Sequence, residues 1–469
     1  MRRRLVAFPT MDVAPDTGDT AWMLASAALV LLMTPGLAFF YGGMTRAKNV
    51  LNMIMMSVIS MGIVTVLWVL YGFSLAFGND IWGTGSGGLL GDPGQYFGLK
   101  GLISGNYVAP DGSTPATFIP LFGTIPATVF VAFQLMFAII TVALVSGAVA
   151  DRMKFSAWVV FTILWSTIVY FPVAHWVFDF SAANAGITNE VGGWIANNVK
   201  AIDFAGGTAV HINAGVAGLV LAILLGKRRG WPRTPMRPHN LPFVMLGAGL
   251  LWFGWYGFNA GSAVSSGGAA GSTFITTTVA TAAAMLAWLV VEVVRDGHAT
   301  SLGGASGIVA GLVAITPSCS SVNVLGALAI GVVAGVVCAL AVGLKYKLGF
   351  DDSLDVVGVH LVGGIIGTLL VGFFATATAP AAVDGLFYGG GWDQLWRQAV
   401  GAGSVLAYSG VATAIIGLAI KFTIGLRADP EDEAEGLDES QHAETAYDFA
   451  AIGSTSAFSQ SAVAVGKEA

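Results

Sequence analysis

Long apolar segments recur along the chain and constrain its fold more than any other feature. A helix needs about 20 apolar residues to cross the hydrocarbon core of a membrane. Eleven segments approach or exceed that length, at residues 20–41, 50–77, 124–150, 157–178, 205–225, 241–263, 273–294, 301–317, 323–345, 356–376 and 399–425. Only 10% of the residues are charged, against about 25% in soluble domains. The sequence therefore predicts an all-α polytopic membrane protein with eleven transmembrane helices, with the weakest signal at 301–317.

The basic residues of the loops predict the orientation. Most Lys and Arg side chains fall on one side of the predicted membrane, and the opposite loops carry only Lys100, Lys200 and Arg397. Because basic loops stay in the cytoplasm, we expect the N-terminus outside, the C-terminus inside, and the chain in the plasma membrane. Residues 2–4 are all Arg and would lie outside, a conflict that disappears if Met11 rather than Met1 is the true start.

Two stretches of the sequence share an unusual spacing of polar residues. "DFAGGTAVHINAG" begins at Asp203 and "DSLDVVGVHLVGG" begins at Asp352, and their alignment places His211 on His360. Five predicted spans precede the basic loop at 226–240 and five more follow it before the last helix, so the second half runs inverted relative to the first. This is the inverted-repeat plan of many transporters, whose sites lie near the bilayer midplane.

The repeat divides the chain into six regions. We expect an extracellular N-terminal segment at 1–19, a first five-helix repeat at 20–225, a basic cytoplasmic loop at 226–240, a second, inverted five-helix repeat at 241–376, an outer loop with the eleventh helix at 377–425, and an acidic cytoplasmic tail at 426–469. The tail, which contains "ADPEDEAEGLDES", is typical of partly disordered segments. A solvated tail and a regulatory segment docked on the cytoplasmic face both fit this composition.

The spacing predicts that the two histidines meet inside the membrane. Each His lies eight residues after its Asp, which corresponds to about 12 Å of helix, while the hydrocarbon core is about 30 Å thick. Starting from opposite faces, His211 and His360 both arrive near the middle, where ionisable groups are costly and usually functional. Capping of backbone N–H groups accounts for Asp203 and Asp352, although a direct role in transport stays open for both.

Aromatic residues near one predicted outer mouth suggest a site for a cation. Phe133 and Phe137 are four residues apart and share a helix face, and "WFGWYGFNAGSA" and "YFPVAHWVF" add further rings. Such rings attract a cation by about 0.5–2 kcal/mol per contact. A hydroxyl that accepts a hydrogen bond, from Ser262, would complete the site. A cage of this kind without carboxylates suits a small weak-acid cation better than a metal ion.

Several stretches together resemble the ammonium transporters (Amt/Mep/Rh), of bacterial Amt type. They are "PGLAFFYGGMTRAKNVLNM", "DFAGGTAVHINAG", "PHNLPFVMLGAGLLWFGWYGFNAGSA", "DVVGVHLVGGIIGT" and the tail stretch "GLRADPEDEAEGLDESQHAETAY". The resemblance extends from residue 20 to about residue 447. It implies a homotrimer of eleven-helix subunits, ammonium or ammonia as the substrate, and a trimeric PII-type signalling protein as a possible partner at the cytoplasmic mouth.

The resemblance also implies roles for individual residues. The outer ammonium site would contain Phe133, Phe178 and Ser262, with Trp255 nearby. The gate below it would be formed by Phe137 and Phe258, and the twin pore histidines would be His211 and His360. Asp203 would hold the outer site together without touching the substrate. Many relatives have Trp where Phe178 stands. Because Phe has a weaker cation-binding face, we expect either weaker ammonium binding at the outer site or a different placement of that ring.

Other classes of protein fit the sequence less well. A b-type haem protein could use the His pair, but the neighbouring Gly and Val leave little room for a macrocycle. An ammonium sensor that signals through the tail is compatible with transport. No nucleophile–base set or metal cluster accompanies the histidines, so we expect neither an enzyme nor a metal or other cofactor. No basic domain suggests nucleic acid, and His175, His239, His298 and His442 are interpreted as structural or surface residues.

Overall fold

The computed structural model describes residues 15–82, 87–103, 120–180, 191–234 and 236–447, with the backbone alone at 105–107 and 116–118. The predicted extracellular segment at 1–19 therefore lies mostly outside the described residues, together with Arg2, Arg3, Arg4 and Met11. The end of the tail, from residue 448 onward, also lies outside them.

The described chain is mostly helical. Its long helices are α1 (Thr17–Met44), α2 (Val50–Phe77), α3 (Ala127–Val149), α4 (Phe155–Phe178), α5 (Gly207–Leu225), α6 (Leu241–Ala263), α7 (Gly268–Asp296), α8 (Ser301–Ile315), α9 (Val324–Leu348), α10 (Val357–Phe374) and α11 (Asp393–Thr423). Within the described residues, ten of these are long and apolar enough to cross a membrane, and α8 is shorter at 15 residues. The prediction of a polytopic all-helical membrane protein is thus supported, and α8 coincides with the weakest predicted span.

Short strands, which the sequence analysis did not predict, lie between α2 and α3. They form three antiparallel pairs: β1 (Asp80–Trp82) with β2 (Leu90–Gly91), β3 (Gly105–Tyr107) with β4 (Ala116–Phe118), and β5 (Leu121–Phe122) with β6 (Ile125–Pro126). The last pair leads directly into α3. This position brings its turn close to the first residues of α1, where Asp16 donates its N–H to the carbonyl of Thr124 (2.8 Å).

The helices pack through small residues. α1 lies along α6, and α7 lies between α8 and α9. A Cβ atom added to Gly311 of α8 would come within 2.8 Å of the Cα of Thr281, and one added to Gly335 of α9 would come within 2.9 Å of the Cα of Ala284. Small residues permit such close approach of backbones, the usual way in which membrane helices associate.

The first part of the tail is docked against the helical body. Two short helices, α12 (Pro430–Glu435) and α13 (Leu437–His442), follow α11. The carboxylate of Asp438 accepts hydrogen bonds from the N–H groups of Leu51 (3.1 Å) and Asn52 (2.8 Å) at the start of α2. Leu437 donates its N–H to the side-chain oxygen of Asn49 (2.7 Å). Residues 427–447 are therefore docked on the helical body rather than fully solvated.

Candidate functional site

The two Asp–His stretches form matching π-helical starts of helices. In α5 the segment Gly207–Ile212 is π-helical, and in α10 the segment Val357–Leu361 is π-helical as well. His211 and His360 therefore both lie on π-helical turns, which in proteins often mark functional positions. The sequence repeat indicated the equivalence of the two positions but gave no signal for the local winding.

The structure brings the two histidines together. Their Nδ1 atoms are 3.3 Å apart, and their rings lie 5.4 Å apart between centroids at an angle of 22°. Both side chains are buried, at 1% and 3% exposure. Two neutral imidazoles can share one hydrogen bond of this kind, since one ring nitrogen donates and the other accepts. The Nε2 atom of His211 has no hydrogen-bond partner among the described residues.

Two glycines four residues beyond the histidines allow this close crossing. A Cβ atom on Gly215 would lie 2.6 Å from the Cα of Leu361, and one on Gly364 would lie 3.1 Å from the Cβ of His211. Real Cβ atoms essentially never approach another atom as closely as the first of these distances. The Asp–His–Gly pattern of the sequence thus describes two helices that touch backbone to backbone beside their histidines.

A small apolar cavity adjoins the His pair. Its volume is about 10 Å³, roughly enough for one molecule of the size of water. Both histidines line it together with Trp255 and apolar side chains from Met33, Leu37, Phe40, Ile140, Leu144, Leu251, Phe258 and Val309. We call this space the lower cavity.

A larger open cavity lies on the other side of Phe137 and Phe258, whose rings are in contact. This vestibule has a volume of about 400 Å³. Three of the residues predicted for the outer site line it, namely Phe133, Phe178 and Ser262. The sequence analysis missed others that line it as well: Phe122, Gly123, Thr124, Phe130, Gln134, Phe180, Phe204, Ala263 and Val264. Phe130 and Gln134 lie on the same face of α3 as Phe133 and Phe137, at helical spacing that the sequence offered. The others come from separate loops and helices that the sequence does not connect.

The rings of Phe137 and Phe258 lie between the vestibule and the lower cavity. Their centroids are 4.3 Å apart and their planes are inclined by 37°. Phe137 also lines the vestibule, whereas Phe258 lines the lower cavity. The pair that the resemblance assigned to a gate therefore occupies the boundary between the two spaces.

The hydroxyl of Ser262 is oriented by the backbone of α6. It donates its hydrogen to the carbonyl of Phe258 at 2.7 Å. With the hydrogen engaged, the oxygen lone pairs remain to accept a hydrogen bond. A cationic N–H donor in the vestibule therefore meets an acceptor at Ser262.

Trp255 lies with the lower cavity rather than along the vestibule. Its ring stacks on His211 at a centroid distance of 5.4 Å and an angle of 17°. Its indole N–H donates to the hydroxyl of Thr316 at 2.9 Å. Within the described residues, Trp255 thus contacts His211 of the histidine pair and lines the lower cavity.

The two structural acids, Asp203 and Asp352, differ in how many hydrogen bonds their carboxylates accept. Asp203 accepts hydrogen bonds from the N–H groups of Gly206, Gly207, Thr208 and Ala209 (2.6–3.1 Å) and from the hydroxyl of Thr208. Its carboxylate therefore closes the N-terminal end of α5 and does not line the vestibule.

Asp352 closes the start of α10 less completely. One oxygen accepts from the N–H of Val357 at 2.7 Å, and the other has no hydrogen-bond partner in the described part of the chain. Burial raises the pKa of Asp352 to about 6, although the ammonium group of Lys345 lies close by and opposes the shift.

Another histidine joins two carboxylates at the end of α4. His175 Nε2 lies 3.1 Å from Asp80, and Nδ1 lies 3.0 Å from the carbonyl of Ala76 and 3.5 Å from Asp179. The three side chains are close enough to hold a metal ion. Both ring nitrogens, however, already face protein oxygens at hydrogen-bonding distance, so hydrogen bonding accounts for the arrangement and agrees with a structural role.

Fold and site together define a multi-pass membrane protein with a vestibule and a buried histidine pair. The chain belongs to the ammonium transporter family, because the sequence model of the Ammonium Transporter Family matches residues 21–447. An ammonium transporter of Mycobacterium tuberculosis strain H37Rv is 72% identical over 451 residues, which cover 94% of this chain and 92% of that protein. An ammonium transporter of Aquifex aeolicus is 48% identical, covering 92% and 94% of the two chains.

Solved structures show the same architecture. The crystal structure of Saccharomyces cerevisiae Mep2 superimposes with a TM-score of 0.76 at 33% identity, covering 90% of this chain and 89% of that one. A sensor Amt protein superimposes with a TM-score of 0.77 at 28% identity, covering 91% and 98%.

Proposed function

We propose that this protein transports ammonium and conducts it as ammonia past the twin histidines. The observation that carries the proposal is the succession of an aromatic vestibule, a contacting phenylalanine pair and a buried histidine pair along one path. Membership of the ammonium transporter family supports the same substrate.

Recruitment takes place in the vestibule. Phe133 and Phe178 present aromatic faces, which attract a cation by about 0.5–1 kcal/mol each at a site open to water. Ser262 accepts a hydrogen bond from the bound ion. The ring of Phe178 is 6.5 Å from that of Phe137, so an ion held there lies beside the predicted gate.

Deprotonation follows because the next space is small and apolar. Moving an unpaired ion into such surroundings costs on the order of 20 kcal/mol in the idealised Born estimate. A cation with a removable proton gives up that proton instead, to bulk water at the open vestibule or, where net charge crosses, to the pair of His211 and His360. Ammonia then passes Phe137 and Phe258 and enters the lower cavity, where His211 and His360 offer a donor and an acceptor.

The same argument explains selectivity against potassium. A potassium ion has no proton to lose and would have to enter the lower cavity with its full charge. If the proton crosses separately, the hydrogen-bonded pair of His211 and His360 is the path that the geometry favours, and transport then carries net charge.

The membrane arrangement follows the sequence analysis. Helix α8 is about 22 Å long at 1.5 Å per residue, and we propose that it spans a thinner part of the bilayer as the eighth of eleven helices. The face with the basic loops and the docked tail would be cytoplasmic, with the N-terminus outside, in a 5+5 inverted repeat plus a final helix. A homotrimer in the plasma membrane and a PII-type partner at the cytoplasmic face complete the proposal.

Transport can be tested with purified protein in liposomes. An ammonium jump should produce a current or a rise in internal pH, and a potassium jump of equal size should produce neither. Protein-free liposomes measure passive ammonia entry. If the protein adds nothing to the passive response, transport is excluded and a sensor function becomes the better account.

A further inference from the structure

We propose that Asp19 is a positioning residue that clamps two walls of the vestibule in the geometry needed to hold ammonium. Asp19 lies in the first turn of α1 and does not line the vestibule. The inference rests on the proposed function for the identity of the ion, but the clamp itself is defined by contacts within the chain.

Each oxygen of the Asp19 carboxylate binds a different loop. Oδ2 accepts from the hydroxyl of Thr124 at 2.6 Å, and Oδ1 accepts from the N–H and the hydroxyl of Ser266 at 2.7 and 2.9 Å. Thr124 is in the turn of the β5–β6 hairpin and lines the vestibule itself. Ser266 follows the segment Ser262–Val264, which lines the vestibule as a second wall.

The loop beside Ser266 requires such support. Val264 has a φ of +52°, a left-handed conformation that is unfavourable for a β-branched residue. Strained backbone of this kind persists only where the surroundings fix it. The two hydrogen bonds from Ser266 to Asp19 fix the chain two residues later, and charge-assisted bonds to a carboxylate are the strong ones.

The hairpin is held at two points by the same turn of α1. Besides the Asp19 contact, Asp16 donates its N–H to the carbonyl of Thr124, and the carboxylate of Asp16 accepts the N–H of Asp19 at 2.8 Å. Phe122 of this hairpin stacks on Phe130 at 3.7 Å, and both rings line the vestibule. The first turn of α1 therefore connects the aromatic wall to the wall that carries Ser262.

Three full-length variants separate the clamp from the charge. Asp19→Ala removes the hydrogen bonds and the charge together. Asp19→Asn removes the charge but keeps an acceptor for Ser266 and a donor for Thr124. Asp393→Ala is the matched control, because Asp393 also lies in the first turn of a long helix and, among the described residues, its carboxylate pairs with Arg397 of the same helix at 2.6 Å.

Hydrogen–deuterium exchange tests the clamp without any ammonium. In Asp19→Ala we expect the amides of residues 261–267 and 121–125 to exchange on the order of tenfold faster, as the loss of one charge-assisted hydrogen bond predicts. Exchange in Asp19→Asn should fall between that of Asp19→Ala and that of the wild type, because weaker, uncharged hydrogen bonds remain, and exchange in Asp393→Ala should stay close to that of the wild type. Unchanged exchange in Asp19→Ala, or equal acceleration in Asp19→Asn, would overturn the clamp.

Transport in liposomes tests its consequence. Asp19→Ala should raise the KM for ammonium several-fold while the maximal rate stays within about twofold, because only binding in the vestibule is impaired. An unchanged KM in Asp19→Ala would contradict the positioning role. If the wild type does not transport ammonium at all, the proposed function fails, and the exchange measurement alone still decides whether Asp19 clamps the two loops.

Discussion

Replacing Asp203 with asparagine is expected to destabilise the protein strongly, whereas the equivalent change Asp352→Asn should be tolerated. Both acids stand eight residues before a twin histidine, so the pair provides a matched comparison within one chain. The two differ in their hydrogen bonds. Asp203 accepts five of them, and in Asp352 one oxygen has no hydrogen-bond partner among the described residues.

The magnitude follows from the donors left behind. An asparagine at 203 keeps one oxygen for Gly206 and Gly207, but its amide nitrogen faces the N–H groups of Thr208 and Ala209. Two buried donors then lack an acceptor, at about 1–3 kcal/mol each, so the free energy of unfolding should fall by about 2–6 kcal/mol. That is a large part of the 5–15 kcal/mol of a typical protein.

Chemical unfolding of the purified variants in detergent, followed by circular dichroism, measures the difference. Asp203→Asn should unfold at clearly lower denaturant than the wild type, and Asp352→Asn should unfold close to it at neutral pH. If both variants lose the same stability, or Asp203→Asn loses less than about 1 kcal/mol, the assigned capping role of Asp203 is refuted.

Further predictions concern the vestibule, the helix crossing and pH. Phe178→Trp should lower the KM for ammonium by about two- to fivefold, since indole binds cations better than benzene; an unchanged or higher KM in liposomes would contradict this. Gly215→Ala should lower the free energy of unfolding by about 1–3 kcal/mol through its clash with Leu361. Gly249→Ala should not, because there is open space around Gly249. Equal unfolding curves for the two variants would refute the close crossing. The pKa of Asp352 is about 6 in the folded protein against 3.8 for the free group. Between these values the unfolded chain binds fewer protons than the folded one, so the free energy of unfolding should fall as pH rises from about 4 to about 6. The decrease should be absent when Asp352→Asn is unfolded at both pH values.

The positions of the helices could be read from the sequence because apolar length is a local property. The predicted span 157–178 corresponds to α4 (Phe155–Phe178), and 205–225 corresponds to α5 (Gly207–Leu225). Helix α11 begins at Asp393, six residues before the predicted start at 399. The prediction missed these residues because the first turns of the helix are polar and give no membrane signal. The strand pairs between α2 and α3 are too short to give a periodic pattern.

The histidine pair could be predicted from the sequence because each half of the repeat contains one Asp–His stretch. An alignment within one chain placed His211 on His360, and the helix rise placed both at similar depth. The stacking of Trp255 on His211 could not be predicted from the sequence, because it depends on how α6 is rotated against α5. The contribution of Phe204 to the vestibule was hidden as well, because it depends on how the chain before α5 packs beside α3.

The asymmetry between the two acids also arises from neighbouring residues. Asp203 is followed by Gly206, Gly207 and Thr208, which present three N–H groups and a hydroxyl to one carboxylate. At the equivalent positions the second repeat has Asp355, Val356 and Val357, which supply no hydroxyl. The spacing alone made the two acids look alike.

The central claim is that the twin histidines form part of a path open only to a cation that can lose a proton. The most direct measurement is the current from purified protein in liposomes on an ammonium jump and on an equal potassium jump. Wild type would be recorded beside His211→Ala and His360→Ala, with His298→Ala as an exposed control. We expect wild-type and control current with ammonium only, and a changed ammonium response or a new potassium current in both pore variants. Ammonium currents in His211→Ala and His360→Ala identical to the wild type, with potassium still excluded, would contradict the account.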